Sequence, residues 1–221
     1  MKKFFEVLRK CPLFDNIADE NLGAMLGCLD VKVKSCAKNE FIFAEASPAR
    51  YIGILLSGMA QIERTDYYGN RSILTHIEPS ELFGESFACA SATKIPIDVV
   101  ASEDCEVMLI DCNKIVGTCS NACSFHQQMI YNLLKIVATK NILLNQKAEI
   151  TSKRTTREKL MTYLSLHAKK NSSNSFTIPF DRQQLADYLE VDRSGLSAEI
   201  SKLRREGVLE CKKNIFRLLK S

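Results

Sequence analysis

The sequence predicts an α+β fold in which an N-terminal antiparallel β-roll, of the double-stranded β-helix or jelly-roll kind, precedes a long helix and a small C-terminal unit. Short β-branched and aromatic runs alternate with turn residues from Glu40 to Asp111. Apolar residues then recur every three or four positions up to Ile150, and two short helical patterns and a hairpin follow. We therefore expect domains at residues 1–119, 120–150 and 151–221.

Composition places the chain among globular proteins with a large core. It has 221 residues, of which 46% are hydrophobic. No run approaches the roughly 20 apolar residues that span a membrane, and the opening MKKFFEVLRKCPLF is charged throughout, unlike a signal peptide. Nine scattered cysteines do not resemble a secreted disulfide framework. We expect reduced thiols, a cytoplasmic location and no membrane partner.

Charge is unevenly distributed along the chain. The net charge is +4, but residues 151–221 contain 15 basic and 8 acidic side chains, whereas residues 1–150 contain 15 basic and 18 acidic ones. A basic C-terminal segment is typical of a module that binds a polyanion, although solvated lysines and arginines alone give the same balance.

Six runs predict the strands of the β-roll. They are EFIFAE, YIGILLS, MAQIERT, RSILTHI, IDVVA and CEVMLID. The segments between them contain the Gly, Pro, Asn and Asp residues that tight hairpins require. One or two short helices precede the strands.

The long helix, from residue 120 to about 150, carries a candidate dimer seam. Ile130, Leu134, Val137 and Leu144 follow an alternating spacing of four and three, and Asn141 takes the one polar place. This pattern is typical of a parallel two-stranded coiled coil, in which a buried Asn fixes the register. The alternative is a helix that packs only on its own β-roll.

The C-terminal unit predicts a winged helix-turn-helix. Asp181 and Asp192 each precede a helical pattern and can cap it. The second helix turns its apolar side chains inward and leaves a polar face outward, small near its start and basic near its end, which suits the major groove. That face includes Arg193, Ser194, Ser197 and Lys202.

A final hairpin follows this helix, and it forms the predicted wing. Lys212 and Lys213 lie at its tip, where they could meet phosphate. Helix, turn, helix and basic hairpin together indicate a protein that binds double-stranded DNA.

These segments resemble the CRP/FNR superfamily of bacterial transcription regulators over almost the full chain. The motifs are YIGILLSGMAQI, FGES with DVVASEDCEVMLI, RTTREKL, and FDRQQLADYLEVDRSGLSAEISKLRREGVLE. The resemblance implies a homodimer, an inverted-repeat operator, RNA polymerase as a partner and a small effector bound at the β-roll.

The resemblance also implies roles for residues of the C-terminal unit. Arg193 would be the chief base reader, Ser194 and Ser197 would take the next reading places, and Arg182 and Arg157 would face phosphate. The best-known members carry Glu where Ser194 stands, so we expect a different operator.

The segment FGESFACASATKIPID contains the candidate effector corner. In cyclic-AMP-binding members a Gly-Glu corner meets ribose and an Arg-Ser pair clamps the phosphate, whereas Ile95 and Pro96 occupy the places of that pair here. We therefore expect an effector other than cyclic AMP, or an inherited corner without a ligand, and we assign no definite cofactor. The candidate pocket residues are Phe83, Gly84, Glu85, Ser86, Lys94 and Asn141.

A second sensing hypothesis uses cysteines. Cys112, Cys119 and Cys123 span the end of the β-roll and the start of the long helix, with His126 three residues further. Thiolates and imidazole at such spacing can bind zinc or an iron-sulfur cluster, or form a redox pair. Packing alone also explains buried cysteines.

An enzyme is the competing class. A cysteine hydrolase built on Cys123 and His126 would lack an oriented third group and an oxyanion hole in the sequence pattern. We expect no catalytic activity.

Overall fold

The structure is a computed structural model that describes residues 2–68, 71–117 and 124–219. It divides into two compact units, Met1–Thr139 and Lys140–Ser221. Its α-helices are α1 Phe5–Lys10, α2 Asp19–Cys28, α3 Glu85–Cys89, α4 Cys112–Val116, α5 Ser124–Thr151, α6 Thr156–Asn171, α7 Arg182–Leu189 and α8 Arg193–Arg205. Two short 3-10 turns, Lys2–Phe4 and Pro12–Phe14, flank α1.

The strands form three antiparallel sheets. Their bounds are β1 Lys32–Cys36, β2 Phe41–Phe43, β3 Tyr51–Ser57, β4 Ala60–Thr65, β5 Arg71–Ile77, β6 Leu82–Phe83, β7 Asp98–Ala101, β8 Cys105–Asp111, β9 Ser175–Thr177, β10 Leu209–Lys212 and β11 Ile215–Leu218. The first unit has two four-stranded sheets, β1-β8-β3-β6 and β2-β7-β4-β5, and the second has β10-β11-β9. This is the predicted α+β architecture.

The β-roll is packed by an apolar cluster between its two sheets. Strands β3, β7 and β8 contribute Leu55, Val99 and Val107 to it, and the β-branched valines fit a pleated buried surface. The members that expose less than a tenth of their surface include Ile42, Phe43, Leu55, Phe83, Ile95, Val99 and Val107. This cluster fills the interior that the candidate effector corner borders.

A second cluster joins the N-terminal helices to the other side of β3 and β8 and to α5. Leu8, Met25, Ile54, Met108 and Met129 are fully buried in it. The side-chain amide of Asn132 on α5 also donates hydrogen bonds to the carbonyl oxygens of residues 13 and 15, at 3.0 and 2.8 Å. The beginning of α5 is therefore fixed on the N-terminal segment of its own chain.

The second unit has a core of its own. Helices α6, α7 and α8 and the three-stranded sheet bury Leu160, Leu185, Leu196, Ile200 and Phe216. Within the described part of the chain, no helix is long and apolar enough to cross a membrane.

Candidate DNA-binding interface and effector corner

The two helices of the predicted helix-turn-helix begin at the predicted residues. At α7, the carboxylate of Asp181 accepts a hydrogen bond from the backbone N–H of Gln184 at 2.8 Å, and the Gln184 side chain accepts one from Asp181 N–H at 2.9 Å. At α8, the Asp192 carboxylate accepts from Gly195 N–H at 2.8 Å. Each cap satisfies amides that a helix start leaves unpaired, which fixes the turn between the helices.

Helix α8 has one buried face and one exposed face. Leu196, Ile200 and Leu203 are buried in the core of the second unit. The predicted reading residues Arg193, Ser194, Ser197 and Lys202 are all exposed. The guanidinium of Arg193 forms no ion pair with any residue that the structure describes.

Ser194 is exposed, and its hydroxyl also contacts the residue that caps α8. Its hydroxyl donates a hydrogen bond to the carboxylate of Asp192. This bond and the bond from Gly195 N–H lower the pKa of Asp192 below its ordinary value. A serine at this place thus stabilises the start of α8, and its oxygen can still accept a hydrogen bond.

Arg182 and the hairpin tip border one recess of about 440 Å³ at the start of α7. Arg182 is half-buried, with its guanidinium 5.8 Å from the centroid of the Phe216 ring. Lys213 forms the turn between β10 and β11 with a left-handed backbone, φ 55°, and both it and Lys212 are exposed. Two cations, Arg182 and Lys213, therefore border this recess together with the carboxylate of Asp181, which already accepts a hydrogen bond from the Gln184 N–H.

Arg157 forms ion pairs within the second unit. Its guanidinium lies 2.7 Å from the Glu206 carboxylate and 3.6 Å from that of Glu199, and these contacts raise its pKa. The residue links the beginning of α6 to α8. Its expected contact with phosphate stays a prediction, and such a contact would compete with two carboxylates.

The effector corner is built on a left-handed glycine. Gly84 has φ 77°, and a Cβ at this residue would lie 2.8 Å from the Phe43 ring. The ring of Phe83 is buried and covers Gly53 so closely that a Cβ there would be 2.1 Å from it. Phe83 is thus part of the core of the β-roll.

The polar residues of the corner differ in exposure. Glu85 is buried and accepts a hydrogen bond from the Ser86 hydroxyl at 3.1 Å, whereas Ser86 itself and Lys94 are exposed. Asn141 belongs to the other unit, where its side-chain oxygen accepts a hydrogen bond from Asn145 at 2.9 Å. Its expected place in the pocket stays a prediction.

Ile95 fills the place where the resemblance would put a phosphate-binding arginine. Its side chain is 2% exposed and packs in the core of the β-roll. Its N–H donates to the carbonyl of Ser47 at 2.9 Å, and its carbonyl accepts from Ala46 N–H at 2.8 Å. Both backbone groups are therefore engaged, and the side chain is apolar, so this residue offers nothing to an anionic group.

The predicted dimer seam is exposed over most of its length. Leu134 and Leu144 are 65% and 67% exposed, and Ile130 is 36% exposed. Val137 is half-buried against the core of the first unit, so it is partly used within the chain. Tyr131, which the heptad pattern did not include, is also exposed on α5.

The structure brings Cys112 to a residue that the sequence analysis did not pair with it. The Sγ atoms of Cys112 and Cys89 are 3.7 Å apart. Cys119 and Cys123 lie outside the described residues. His126 is buried, and its Nε2 lies 2.7 Å from the carbonyl oxygen of Ile115. In the described part of the chain, no three His, Cys, Asp or Glu side chains form a group that could hold a metal ion.

Two family models match the chain. The cyclic nucleotide-binding domain matches residues 33–121, and the Crp-like helix-turn-helix domain matches residues 158–220. The chain belongs to the CRP/FNR superfamily. This superfamily consists of transcription regulators, in agreement with our expectation that the chain is not an enzyme.

The curated and solved relatives are distant. The transcriptional activator protein FnrL of Cereibacter sphaeroides is 23% identical over 174 residues, which are 72% of this chain and 64% of that protein. CprK in complex with OCPA has 16% identity and a TM-score of 0.60, covering 91% of this chain and 90% of its own. The c-di-GMP responsive global regulator CLP of Xanthomonas campestris has 14% identity and a TM-score of 0.51, covering 90% and 100%. At these identities the solved structures support the fold alone.

Proposed function

We propose that this protein is a homodimeric transcription regulator that binds an inverted-repeat operator through α8. The observation that carries the proposal is the two-sided α8. Its apolar face is buried in the core, its start is capped by Asp192, and Arg193 stands exposed at its N-terminal end without an ion pair to a described residue. A guanidinium in this place can donate two parallel hydrogen bonds to guanine in the major groove.

The surrounding cations suit the DNA backbone. Lys212 and Lys213 on the hairpin and Arg182 at the start of α7 would contact phosphates, which contribute affinity without sequence preference. Ser197 and Lys202 extend the exposed face of α8 toward its C-terminal end. RNA polymerase is the partner that the family resemblance implies, and the cytoplasmic location stays a prediction.

The dimer is supported by the exposed apolar residues of α5. Leu134 and Leu144 each expose about two thirds of their surface in the single chain. A second copy of α5 would cover them and would align two copies of α8 for half-sites about one helical turn apart. The domain boundaries at residues 119 and 150 remain part of this proposal.

We further propose that an effector other than cyclic AMP acts at the Gly84–Glu85 corner. The buried Ile95 and the neighbouring Pro96 provide no phosphate clamp, and Lys94, which precedes them in the sequence, is an exposed cation. A less anionic ligand suits such a surface better than a cyclic phosphate does. An effector can shift the equilibrium between two arrangements of the dimer only by the difference between its binding free energies for the two.

A metal- or redox-sensing regulator that uses Cys112, Cys119 and Cys123 is the second candidate. The contact between Cys112 and Cys89 favours thiol chemistry in this region. Metal analysis of anaerobically purified protein tests the metal-sensing form of this candidate, because bound zinc or iron would support a site at the cysteines. The redox-sensing form needs no metal and is tested by mapping disulfides.

Selection from random duplexes tests DNA binding. Purified full-length protein is incubated with a library of random double-stranded DNA, and bound duplexes are sequenced after several rounds. We expect an enriched inverted repeat with two half-sites about one helical turn apart. Enrichment of no motif would contradict a sequence-specific regulator, and enrichment of a single half-site would contradict the dimer.

A further inference from the structure

Two thiols from different helices meet beside the effector corner. Cys89 is the last residue of α3, and Cys112 is the first residue of α4. Their Sγ atoms are 3.7 Å apart, which is contact distance for two thiols and about 1.7 Å longer than a disulfide bond. The helices are short and separate, so a small rotation of either side chain changes this distance without moving a strand.

The two thiols differ in their access to solvent. Cys89 is exposed, whereas Cys112 is 4% exposed. A reagent from solvent can therefore reach Cys89 first, and Cys112 lies behind it as the second thiol. An accessible thiol that attacks and a shielded thiol that resolves the mixed disulfide are the two partners that such an exchange uses. Burial raises the pKa of both thiols, so the reaction proceeds through a small thiolate fraction and is faster at higher pH.

Another pair of cysteines provides a comparison within the same unit. Cys36 and Cys105 face each other across β1 and β8 but are 2% and 4% exposed, so both are shielded. Cys28 is exposed and contacts no described thiol. Among the described cysteines, Cys89 and Cys112 alone combine an accessible thiol with a second thiol in contact.

We propose that Cys89 and Cys112 form a redox-active dithiol that undergoes exchange with a low-molecular-weight disulfide. The Cys89 thiolate attacks one sulfur of the oxidant, which forms a mixed disulfide and releases one thiol. The Cys112 thiolate then attacks the Cys89 sulfur, which forms the Cys89–Cys112 bond and releases the second thiol. The protein loses two protons and two electrons, and the oxidant becomes two thiols.

The Cys89–Cys112 disulfide would link helix α3 to helix α4. Helix α3 begins directly after Gly84 and ends at Cys89, so the bond would hold the far end of the helix that starts at the effector corner. Helix α4 follows β8, and Asp111 at its start is held by Arg50, with Nε at 2.7 Å from the carboxylate. Oxidation would restrain α3 against α4 and so change the freedom of the corner. This chemistry does not depend on DNA binding.

Mapping of disulfides in the full-length protein tests the proposal. Protein purified anaerobically is incubated with oxidised or reduced glutathione, free thiols are blocked with N-ethylmaleimide, and non-reduced peptides are identified by mass spectrometry. We expect a peptide pair joined through Cys89 and Cys112 with oxidised glutathione only, lost after dithiothreitol. Cys28 should carry a glutathione adduct, and Cys36 and Cys105 should remain thiols.

The variant Cys112→Ser tests the order of the two steps. Cys89 should then retain the glutathione that Cys112 displaces in the natural sequence. The proposal is overturned if Cys89 and Cys112 both remain thiols, if Cys89 joins a different cysteine, or if Cys36 and Cys105 are oxidised to the same extent. It is also overturned if Cys89 carries equal adduct with and without Cys112. If Cys112→Ser fails to fold, the disulfide mapping of the natural sequence tests the proposal by itself.

Discussion

At the scale of single residues, Arg193 carries the proposed reading of DNA. It stands at the first position of α8, immediately after the capping Asp192, and its guanidinium is exposed. Residues at the start of a recognition helix contact base edges in the major groove. The planar guanidinium of arginine can donate two parallel hydrogen bonds to the two acceptors of guanine. Loss of this side chain should therefore affect sequence preference as well as affinity.

We expect Arg193→Ala to cost about 1–3 kcal/mol of binding to the selected operator and to relax the preference at one base pair in each half-site. Fluorescence anisotropy with the operator and its single-base variants measures both quantities. Arg9→Ala is the matched control, because Arg9 is an exposed arginine of the first unit that pairs with Asp19. Unchanged affinity and preference in Arg193→Ala would refute its assignment as the reader.

The capping carboxylate of Asp192 gives a second prediction at this scale. Its pKa is lowered by the hydrogen bonds from the Ser194 hydroxyl and the Gly195 N–H. The pKa of Asp192 is lower in the folded state than in the unfolded state. Its cap therefore contributes its full stabilisation of α8 at pH values above the unfolded pKa, and this contribution is lost as the pH falls through the folded pKa.

We expect an NMR titration of the side-chain carboxyl carbon to show that the pKa of Asp192 is below the ordinary value for aspartate. In Ser194→Ala the pKa should rise because its largest lowering contact is removed. Ser201→Ala is the control, since that hydroxyl donates to the Ser197 carbonyl instead. An unchanged pKa in Ser194→Ala would exclude the bond from the serine.

Some residues were predictable from the sequence, and others were not. Asp181 and Asp192 were found as caps because capping depends on residues three positions apart. The burial of Ile95 and the contact between Cys89 and Cys112 depend on pairings between distant segments. Such contacts leave no local pattern, so the chain order alone could not give them.

At the scale of elements, turn residues decided which strands the sequence revealed. Strands β2, β3, β4, β5, β7 and β8 match the six predicted runs because turn residues such as Gly, Pro and Asp separate them. Strand β1 was missed because Lys32, Lys34 and Ser35 leave only one buried residue in it, Cys36. Helices α3 and α4 were missed because five residues are too few for a helical period and depend on tertiary contacts.

The wing is the element for which salt dependence is informative. A lysine that contacts phosphate releases a counterion, so its loss lowers the salt slope by about 0.9 per contact. We expect Lys212→Ala to weaken binding to all sequences alike and to flatten the slope of log K against log salt. Anisotropy titrations over a series of salt concentrations measure this. Lys114→Ala is the control, because Lys114 pairs with Asp30 in the first unit. A loss confined to one base pair would show that Lys212 reads a base.

Helix α5 is the element on which the dimer depends. Leu134 is 65% exposed in the single chain, and burial of a leucine contributes roughly 1.5–3 kcal/mol. We expect Leu134→Lys to raise the dissociation constant of the dimer by at least about tenfold, as measured by sedimentation equilibrium. Lys135→Glu changes charge at the neighbouring exposed position outside the seam and should have a much smaller effect. An unchanged dissociation constant in Leu134→Lys would place the interface elsewhere.

At the scale of the whole molecule, the two units differ in charge as well as in fold. The second unit, residues 140–221, holds eight net positive charges, and the first unit, residues 1–139, holds four net negative ones. A polyanion therefore attracts one unit and repels the other, which favours encounters through the helix-turn-helix. Composition and periodicity were sufficient to predict this arrangement, because it depends on averages over long segments.

The central claim is that two copies of the chain read one inverted repeat. Native mass spectrometry of the full-length protein with the selected duplex counts the chains bound to each DNA molecule. The proposal predicts two chains on the full repeat, with strongly reduced occupancy when one half-site is scrambled or when Leu134→Lys is used. A complex with one chain on the full repeat, or equal occupancy of the scrambled duplex, would contradict it.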